Sequence, residues 1–398
     1  MRQSAELQLK PASAKAIKNG YPLVLKDALE KPGVLPKEGN LLRLTDSTGN
    51  YVATGYYGLQ NKGIGWVLTR SEKEEIDSRF FAGKIRKAIA ERHHLYAAED
   101  TTAFRMFNGE GDGIGGLIID FYADFYVVNW YSEGIYSFRK EVYEALKEVA
   151  APRGIYEKLR FDTNGQYVEQ DDYVSGERGE FPLIVQENGM SFAVDLNDGA
   201  MTGIFLDQRE VRKALRDKYA DGKTVLNTFS YTGAFSIAAV LGGATETTSV
   251  DLAKRSRPKT IEQFAVNGID FEAQDIKVMD VFDYFSYAAR HGLKFDVVVL
   301  DPPSFARTKK KTFSTAKDYP KLLKDTLKIT SDRGMIIAST NNASFNMKKF
   351  KSFIDKAFTE TNTRYKILEE HQLPEDFKVP HNYPEFNYLK VVFIKIMN

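Results

Sequence analysis

From residue 191 to the last residue, short apolar runs alternate with amphipathic stretches of helical period, and no other feature constrains the fold as tightly. Strands are expected at 224–228, 245–252, 276–279, 295–301 and 334–339. Helices are expected at 233–241, 255–267, 281–291, through 319–329, and at 348–359. Two further strands, 365–369 and 388–396, close the series. Strands joined by helical crossovers run parallel, so this pattern specifies an α/β domain whose mostly parallel sheet is covered on both faces. Ligands of such sheets lie beyond the carboxyl ends of the strands, where the strand order reverses.

The rest of the chain has a different grain. Residues 1–70 are short alternating segments broken by turn residues. Leu41-Leu42-Arg43-Leu44 and the run from Tyr51 to Tyr57 flank Asp46-Ser47-Thr48-Gly49-Asn50, which predicts a hairpin in a small β-rich domain. At Ser71 the period becomes helical, with Ile76, Phe80, Phe81, Ile85, Ala88 and Ile89 spaced along one face. Strand-like runs at 117–120 and 125–130 and a helix at 135–150 follow, so 71–190 is expected to be a central α+β domain and 191–398 the α/β domain. Five glycines between 109 and 116 lack the Lys-Ser/Thr of a phosphate loop and precede strands, which predicts a turn instead.

Charge is uneven. Residues 1–70 hold ten Lys/Arg against five Asp/Glu, 71–195 hold fourteen against twenty-four, and 196–398 hold thirty-one against twenty-five. Basic ends and an acidic middle are compatible with a polyanion touching both ends, and equally with solvated surface charge. The chain has no cysteine, which excludes disulfides, thiolate metal sites and thiol nucleophiles. Its five histidines show no metal-ligand spacing, so no metal is expected. The first residues lack the apolar core of a signal peptide and no window is apolar enough to span a bilayer, so a cytoplasmic protein without membrane contact is expected.

Three carboxylates end or follow three successive strands: Asp251, Asp280 and Asp301. Together they face one crevice. The first strand-to-helix turn, from Asn227 through Phe229, Tyr231 and Gly233, lacks the G-x-G-x-x-G spacing that holds a pyrophosphate. One glycine still lets the backbone approach a nucleoside cofactor that carries no pyrophosphate. Asp251 would accept from ribose hydroxyls and Asp280 from an adenine amino group. Capping the helix that follows is the less favoured role for Asp280, and the two roles are compatible. Upstream, Gly203-Ile204-Phe205-Leu206 can wrap the same cofactor together with Gln208, while Asp207 caps the next helix and Arg209 pairs a carboxylate.

Asp301-Pro302-Pro303-Ser304-Phe305 is the sharpest motif. Two prolines remove two backbone donors and fix φ, so the chain leaves the sheet rigidly with its carbonyls toward the cleft. Those carbonyls and Asp301 can hold the donor edge of a nucleobase while Phe305 stacks on its face, as a base lifted from its stack requires. Lys254, Arg255 and Arg257 follow Asp251, and Arg307, Lys309, Lys310 and Lys311 follow Phe305. Both clusters lie where RNA phosphates would approach.

These residues resemble a known family, the bacterial large-subunit (23S) rRNA methyltransferases of the RlmI/RlmK type. The resemblance covers nearly the whole chain. It is carried by Asn108-Gly109-Glu110-Gly111-Asp112-Gly113, by Thr202 through Arg209, by the Asn227–Phe235 turn and by Asp301 through Phe305. It implies a PUA-like RNA-binding domain over 1–70 and a class I, Rossmann-like domain with a seven-stranded sheet. S-adenosylmethionine (SAM) would be the cofactor, contacted near Phe229, Tyr231, Gly233, Asp251, Asp280 and Asp301, and rRNA the partner. Members of the family often form homodimers, although no dimer surface is legible here.

One departure is informative. Members that make 5-methylcytosine carry a cysteine after the fifth strand, whereas this chain reads Ala338-Ser339-Thr340-Asn341-Asn342. That is closer to the Ser-Asn-Asn of the branch resembling N7-guanine methyltransferases. Cytosine C5 methylation needs a covalent thiol adduct, while guanine N7 offers a free lone pair and needs only positioning. The expectation is methylation at a base nitrogen, N7 of guanine above exocyclic amines, with Asn342 or Asn341 reading the base edge. Two alternatives stay open: a 5-methylcytosine enzyme with a different nucleophile, and a catalytically silent RNA-binding assembly factor.

Overall fold

The computed structural model describes residues 3–31, 35–59, 63–161, 171–307 and 312–397. The chain divides into two compact units, one formed by Met1–Leu183, Asp195–Thr202 and Glu375–Pro384, the other by Ile184–Val194, Gly203–Pro374 and Glu385–Asn398.

The first unit holds two five-stranded sheets. Strands β1 (Ser4–Gln8), β2 (Leu23–Leu25), β3 (Leu41–Thr45), β4 (Tyr51–Tyr57) and β5 (Gly63–Thr69) lie in the order β1-β3-β4-β5-β2. The expected hairpin is β3–β4. Its turn forms because Asp46 Oδ1 accepts from the amides of Thr48 and Asn50, leaving Gly49 to adopt φ +84°. A helix at Pro11–Lys18, not evident in the sequence, buries Ala14 and Ile17. The second sheet orders β6 (Ala103–Asn108), β7 (Leu117–Tyr122), β8 (Phe125–Trp130), β9 (Gly154–Leu159) and β10 (Tyr173–Gly176) as β10-β9-β8-β7-β6. Parallel β8 and β9 are joined through the helix Arg139–Ala150.

The glycine-rich segment is a turn, as its composition predicts, and its polar residues are structural. Arg92, 2% exposed, donates two hydrogen bonds to the Asp112 carboxylate, at 2.7 and 3.2 Å, and also to the Asp376 carbonyl. Asn108 Nδ2 donates to the Lys378 carbonyl, and a Cβ on Gly111 would lie 1.8 Å from that same oxygen. The Asp376 carboxylate accepts from the amide of Arg105. The late segment 375–384 is therefore built into the N-terminal unit.

The second unit begins with the hairpin β11 (Leu183–Glu187) and β12 (Met190–Val194). It continues with β13 (Thr224–Thr228), β14 (Glu246–Asp251), β15 (Asp275–Val278), β16 (Phe295–Leu300), the short β17 (Phe305–Arg307) and β18 (Thr312–Ser314), then β19 (Thr330–Thr340), β20 (Tyr365–His371) and β21 (Lys390–Ile396). Seven of these make one sheet in the order β15-β14-β13-β16-β19-β21-β20. The first five run parallel, and β21 is antiparallel to both of its neighbours. The central strands are apolar on both faces, with Leu226, Val298, Leu300 and Ile336 wholly buried on one and Val225, Val299 and Ile337 on the other, as a doubly covered sheet requires. The order reverses between β13 and β16. The ends of β13, β14, β15, β16 and β19 therefore share one edge, with the switch point at its middle. The pairing of β17 with β18 forms a small hairpin where the sequence suggests only a loop. Among the described residues, no helix is long and apolar enough to cross a membrane.

Candidate active site

The turn after β13 is held in a conformation that most side chains avoid. Phe229 and Tyr231 have φ of +54° and +52°, and Gly233 has φ +82°. Left-handed backbone at a non-glycine residue costs on the order of 1 kcal/mol or more, so neighbours must impose it. Asp251, at the end of β14, supplies part of that constraint. Its two carboxylate oxygens accept from the amides of Tyr231, at 2.9 Å, and Ala253, at 2.8 Å. Thr232 Oγ1 donates to the Gly203 carbonyl at 2.7 Å, tying the turn to the upstream loop. Beneath it Asn227 is 1% exposed and donates to Ser236 Oγ, which is bonded to Ser249 Oγ. Gly233 is required by space as well as by φ, since a Cβ there would lie 2.7 Å from Thr260 Cγ2.

Asp280 caps the helix Val281–Arg290 through the amides of Phe282 and Asp283. Asp301 lies one residue past β16, and the register of Leu300 with Ala338 sets it beside Ser339. Its carboxylate accepts from Gln208 Nε2 at 3.2 Å, and Gln208 also donates to Ser339 Oγ at 2.8 Å. Burial pushes the Asp301 carboxyl up to about 6. The charge of Asp207 acts in the same direction, while bonds from Ser339 and Gln208 and the charge of Arg212 oppose it.

These groups surround a cavity of about 410 Å³. Of the expected residues, Phe205, Gln208, Phe229, Tyr231, Asp251, Asp280, Asp301, Pro302 and Pro303 line it. Asn227, Arg209 and Gly233 do not. They stand behind the wall, with Arg209 buried and paired to Glu210. Asp207 lines the cavity and accepts from the Tyr388 hydroxyl at 2.9 Å. It does not cap the helix Arg209–Ala214, which has no side-chain cap, because its carboxylate is turned to Tyr388. Phe305 is 62% exposed on β17, outside the lining. Asn342 is also outside it, whereas Asn341 lines the cavity. Lys254 and Arg255 are exposed, and Arg257 is exposed but donates to the Ile276 carbonyl. The Arg307 side chain and Lys309, Lys310 and Lys311 lie outside the described residues.

Among the wall residues beyond those expected are Arg212, Phe282 and Phe313. Arg212 is 1% exposed and makes a bidentate bond to Glu187 on β11, at 2.7 and 2.6 Å, while also donating to the Phe205 carbonyl at 2.8 Å. It fixes the loop that carries Phe205, whose ring lies 5.2 Å from that of Tyr231. Arg212 follows Gln208 by four residues, a helical spacing that marks it as a neighbour on the same face. Phe313 gives no comparable signal, because it follows the basic run on a strand of three residues.

The arrangement joins aromatic walls to carboxylate acceptors on one edge of a parallel sheet. That chemistry suits a ligand with a flat heteroaromatic part, hydroxyls and a cationic end. Comparison with known proteins agrees. Residues 149–378 match the S-adenosylmethionine-dependent methyltransferase family, and residues 7–70 match the PUA-like domain. The Bacillus subtilis (strain 168) protein YwbD, whose name assigns it provisionally to the ribosomal RNA large subunit methyltransferases, is 63% identical over 391 residues, covering 98% of this chain and 99% of its own. Ribosomal RNA large subunit methyltransferase I of Aeromonas salmonicida (strain A449) is 29% identical over 383 residues, covering 96% of each chain. The crystal structure of SMU.776, a protein provisionally called a methyltransferase and solved in complex with SAH, superposes with a TM-score of 0.91. It is 41% identical and covers 98% of this chain and 99% of its own. The chain belongs to the S-adenosylmethionine-dependent methyltransferase family, carries a PUA-like domain at its N-terminal end and takes SAM as its cofactor.

Proposed function

We propose that this enzyme methylates a base nitrogen of large-subunit ribosomal RNA, and that the nitrogen is N7 of a guanine. One observation carries the reading. The Asp301-Pro302-Pro303 corner and Asn341 share a cavity with Asp251 and Asp280, so groups suited to a base and groups suited to a nucleoside cofactor face the same space. The names of the relatives supply the class of RNA. The absence of cysteine argues for nitrogen over cytosine C5.

The cavity fits SAM. Asp251 and Asp280 each use part of their accepting capacity on backbone amides and present the remainder to ribose hydroxyls and the adenine amino group. Phe229, Leu252 and Phe282 supply apolar wall for the adenine. Gln208 Oε1 is buried beside Asp301 with no hydrogen-bond partner among the described residues, an acceptor suited to the amino end of the cofactor. Bound there, SAM supplies a methyl group made electrophilic by its sulfonium.

The protein's own contribution is positional and electrostatic. A purine that gains a methyl at N7 becomes cationic, and the Asp301 carboxylate at the cavity wall offsets that charge in a poorly solvated site. Pro302 and Pro303 hold the chain rigidly at that point. Phe305, exposed at the start of β17, stacks on the extruded base. Lys254 and Arg255 meet phosphates, assisted by the PUA-like domain and the central α+β domain over 71–190.

Mass spectrometry of nucleosides from large-subunit rRNA, with and without the gene, tests the reading. Loss of a 7-methylguanosine signal is the expected result. Loss of 5-methylcytidine would replace the nitrogen reading with the carbon one. An unchanged nucleoside profile would favour a silent RNA-binding factor.

A further inference from the structure

Two asparagines follow β19, and the structure gives them different work. Asn342 is committed at both ends of its amide, with Nδ2 donating to Thr315 Oγ1 at 2.8 Å and Oδ1 accepting from the Ser344 amide at 2.8 Å. Thr315 in turn donates to the Ser304 carbonyl from its amide, at 3.1 Å, and from its hydroxyl, at 3.3 Å. Asn342 thus closes the base of the hairpin that presents Phe305, and it is not among the residues that line the cavity.

Asn341 is exposed and lines the cavity together with Asp301, Pro302 and Pro303. Its Oδ1 accepts from Ser304 Oγ at 2.6 Å. That separation is ordinary for an O–H···O bond, so the hydroxyl of Ser304 holds the oxygen side of the amide. The amide nitrogen is left pointing elsewhere, and no hydrogen bond from Nδ2 to protein is present among the described residues. A pre-oriented donor with no protein acceptor, on the target side of the cavity, is suited to a base carbonyl.

We propose that Asn341 reads the target base by donating from Nδ2 to O6 of the guanine. This rests on the N7 reading above, because O6 is the acceptor adjacent to N7 on the same edge. Adenine presents an amino donor at that position, so two N–H groups would face each other and adenine is refused. Ser304 is a positioning residue. Its hydroxyl keeps the amide from rotating into the orientation that would accept adenine.

The test uses transcripts of large-subunit rRNA made with GTP, with 6-thio-GTP or with 7-deaza-GTP, and follows transfer of labelled methyl groups by the full-length enzyme. Sulfur at position 6 is a weak acceptor, so the wild type should lose about 10- to 100-fold in kcat/KM on the thio transcript. Asn341→Ala should lose a similar factor on the ordinary transcript and nothing further on the thio transcript. Asn341→Asp, which keeps the shape but replaces the donor with an acceptor, should lose at least as much. SAM affinity should stay unchanged in both variants, which also shows that they are folded. Independent, multiplying losses from the variant and the sulfur would overturn the contact, as would full activity of Asn341→Ala. The 7-deaza transcript judges the other reading. Undiminished methylation there refutes N7 whatever the thio series shows, while its loss beside multiplying thio effects refutes only the role of Asn341.

Discussion

Arg212→Met should be among the most damaging single changes outside the cavity lip, and the structure sets its size. The guanidinium and the Glu187 carboxylate are 2% and 0% exposed at their side chains, and they meet through two hydrogen bonds. Removing one partner leaves a buried carboxylate without its counter-charge, which costs about 3–5 kcal/mol. At roughly 2–4 °C per kcal/mol for a domain of this size, melting should fall by about 6–20 °C. The Phe205 carbonyl loses its donor too, so the loop carrying Phe205 and Gln208 loosens and SAM affinity falls with it. The double variant Glu187→Leu, Arg212→Met separates charge burial from packing. Arg212 already lies near the rings of Phe192 and Phe235, at 5.8 and 5.7 Å, so methionine there meets apolar neighbours. The double variant should recover most of the lost melting temperature without recovering SAM affinity, because the Phe205 carbonyl still lacks its donor. Thermal denaturation and titration calorimetry read the two effects. A single variant destabilised by less than about 1 kcal/mol, or a double variant no more stable than the single, would refute the reasoning.

Three other outcomes follow from the site. Asp251→Ala should weaken SAM about 10- to 100-fold by calorimetry, since a charged acceptor is lost and the Tyr231 amide is released; unchanged affinity would move the ribose elsewhere. The turnover rate should rise with pH through about 6, because the Asp301 carboxyl is raised to that value and its ionised form is the one that offsets charge on the base. Below that pH the carboxyl is protonated and the benefit is lost, and Asp301→Asn should show a low, flat profile; an intact acid limb in that variant would assign the limb to another group. Phe305→Ala should cut turnover on RNA while leaving SAM affinity nearly intact, as expected of a ring 62% exposed and outside the cavity lining; an unimpaired rate would remove its stacking role.

The sheet of the second unit was legible because each strand is an apolar run between polar turns, and the sequence boundaries at 224–228 coincide with β13. The three carboxylates were legible for the same reason, since a strand end fixes where the next residue points. Legibility stopped where the period stopped. Two residues past the end of β19 no alternation remains to tell Asn341 from Asn342, and only the bonds to Ser304 and Thr315 separate them. Strands of three residues, such as β17 and β18, are too short to show a period at all. The Arg212–Glu187 pair was hidden because its partners are 25 residues apart and meet only when the β11–β12 hairpin packs. Asn108 through Gly113, a mark of family resemblance, serves as a structural knot around Arg92, and motif matching cannot distinguish that from a binding loop.

That knot bears on how the protein is made. Arg92 finds its carbonyl acceptor on Asp376, 284 residues downstream. During synthesis, nearly the whole second unit leaves the ribosome before the segment that completes the first. A guanidinium sealed at 2% exposure has to wait for it, so the N-terminal unit, although translated first, is not complete until most of the second unit has been made. Fragments ending before residue 375, and chimaeras that exchange N-terminal halves between relatives without exchanging 375–384, would inherit that unfinished interior.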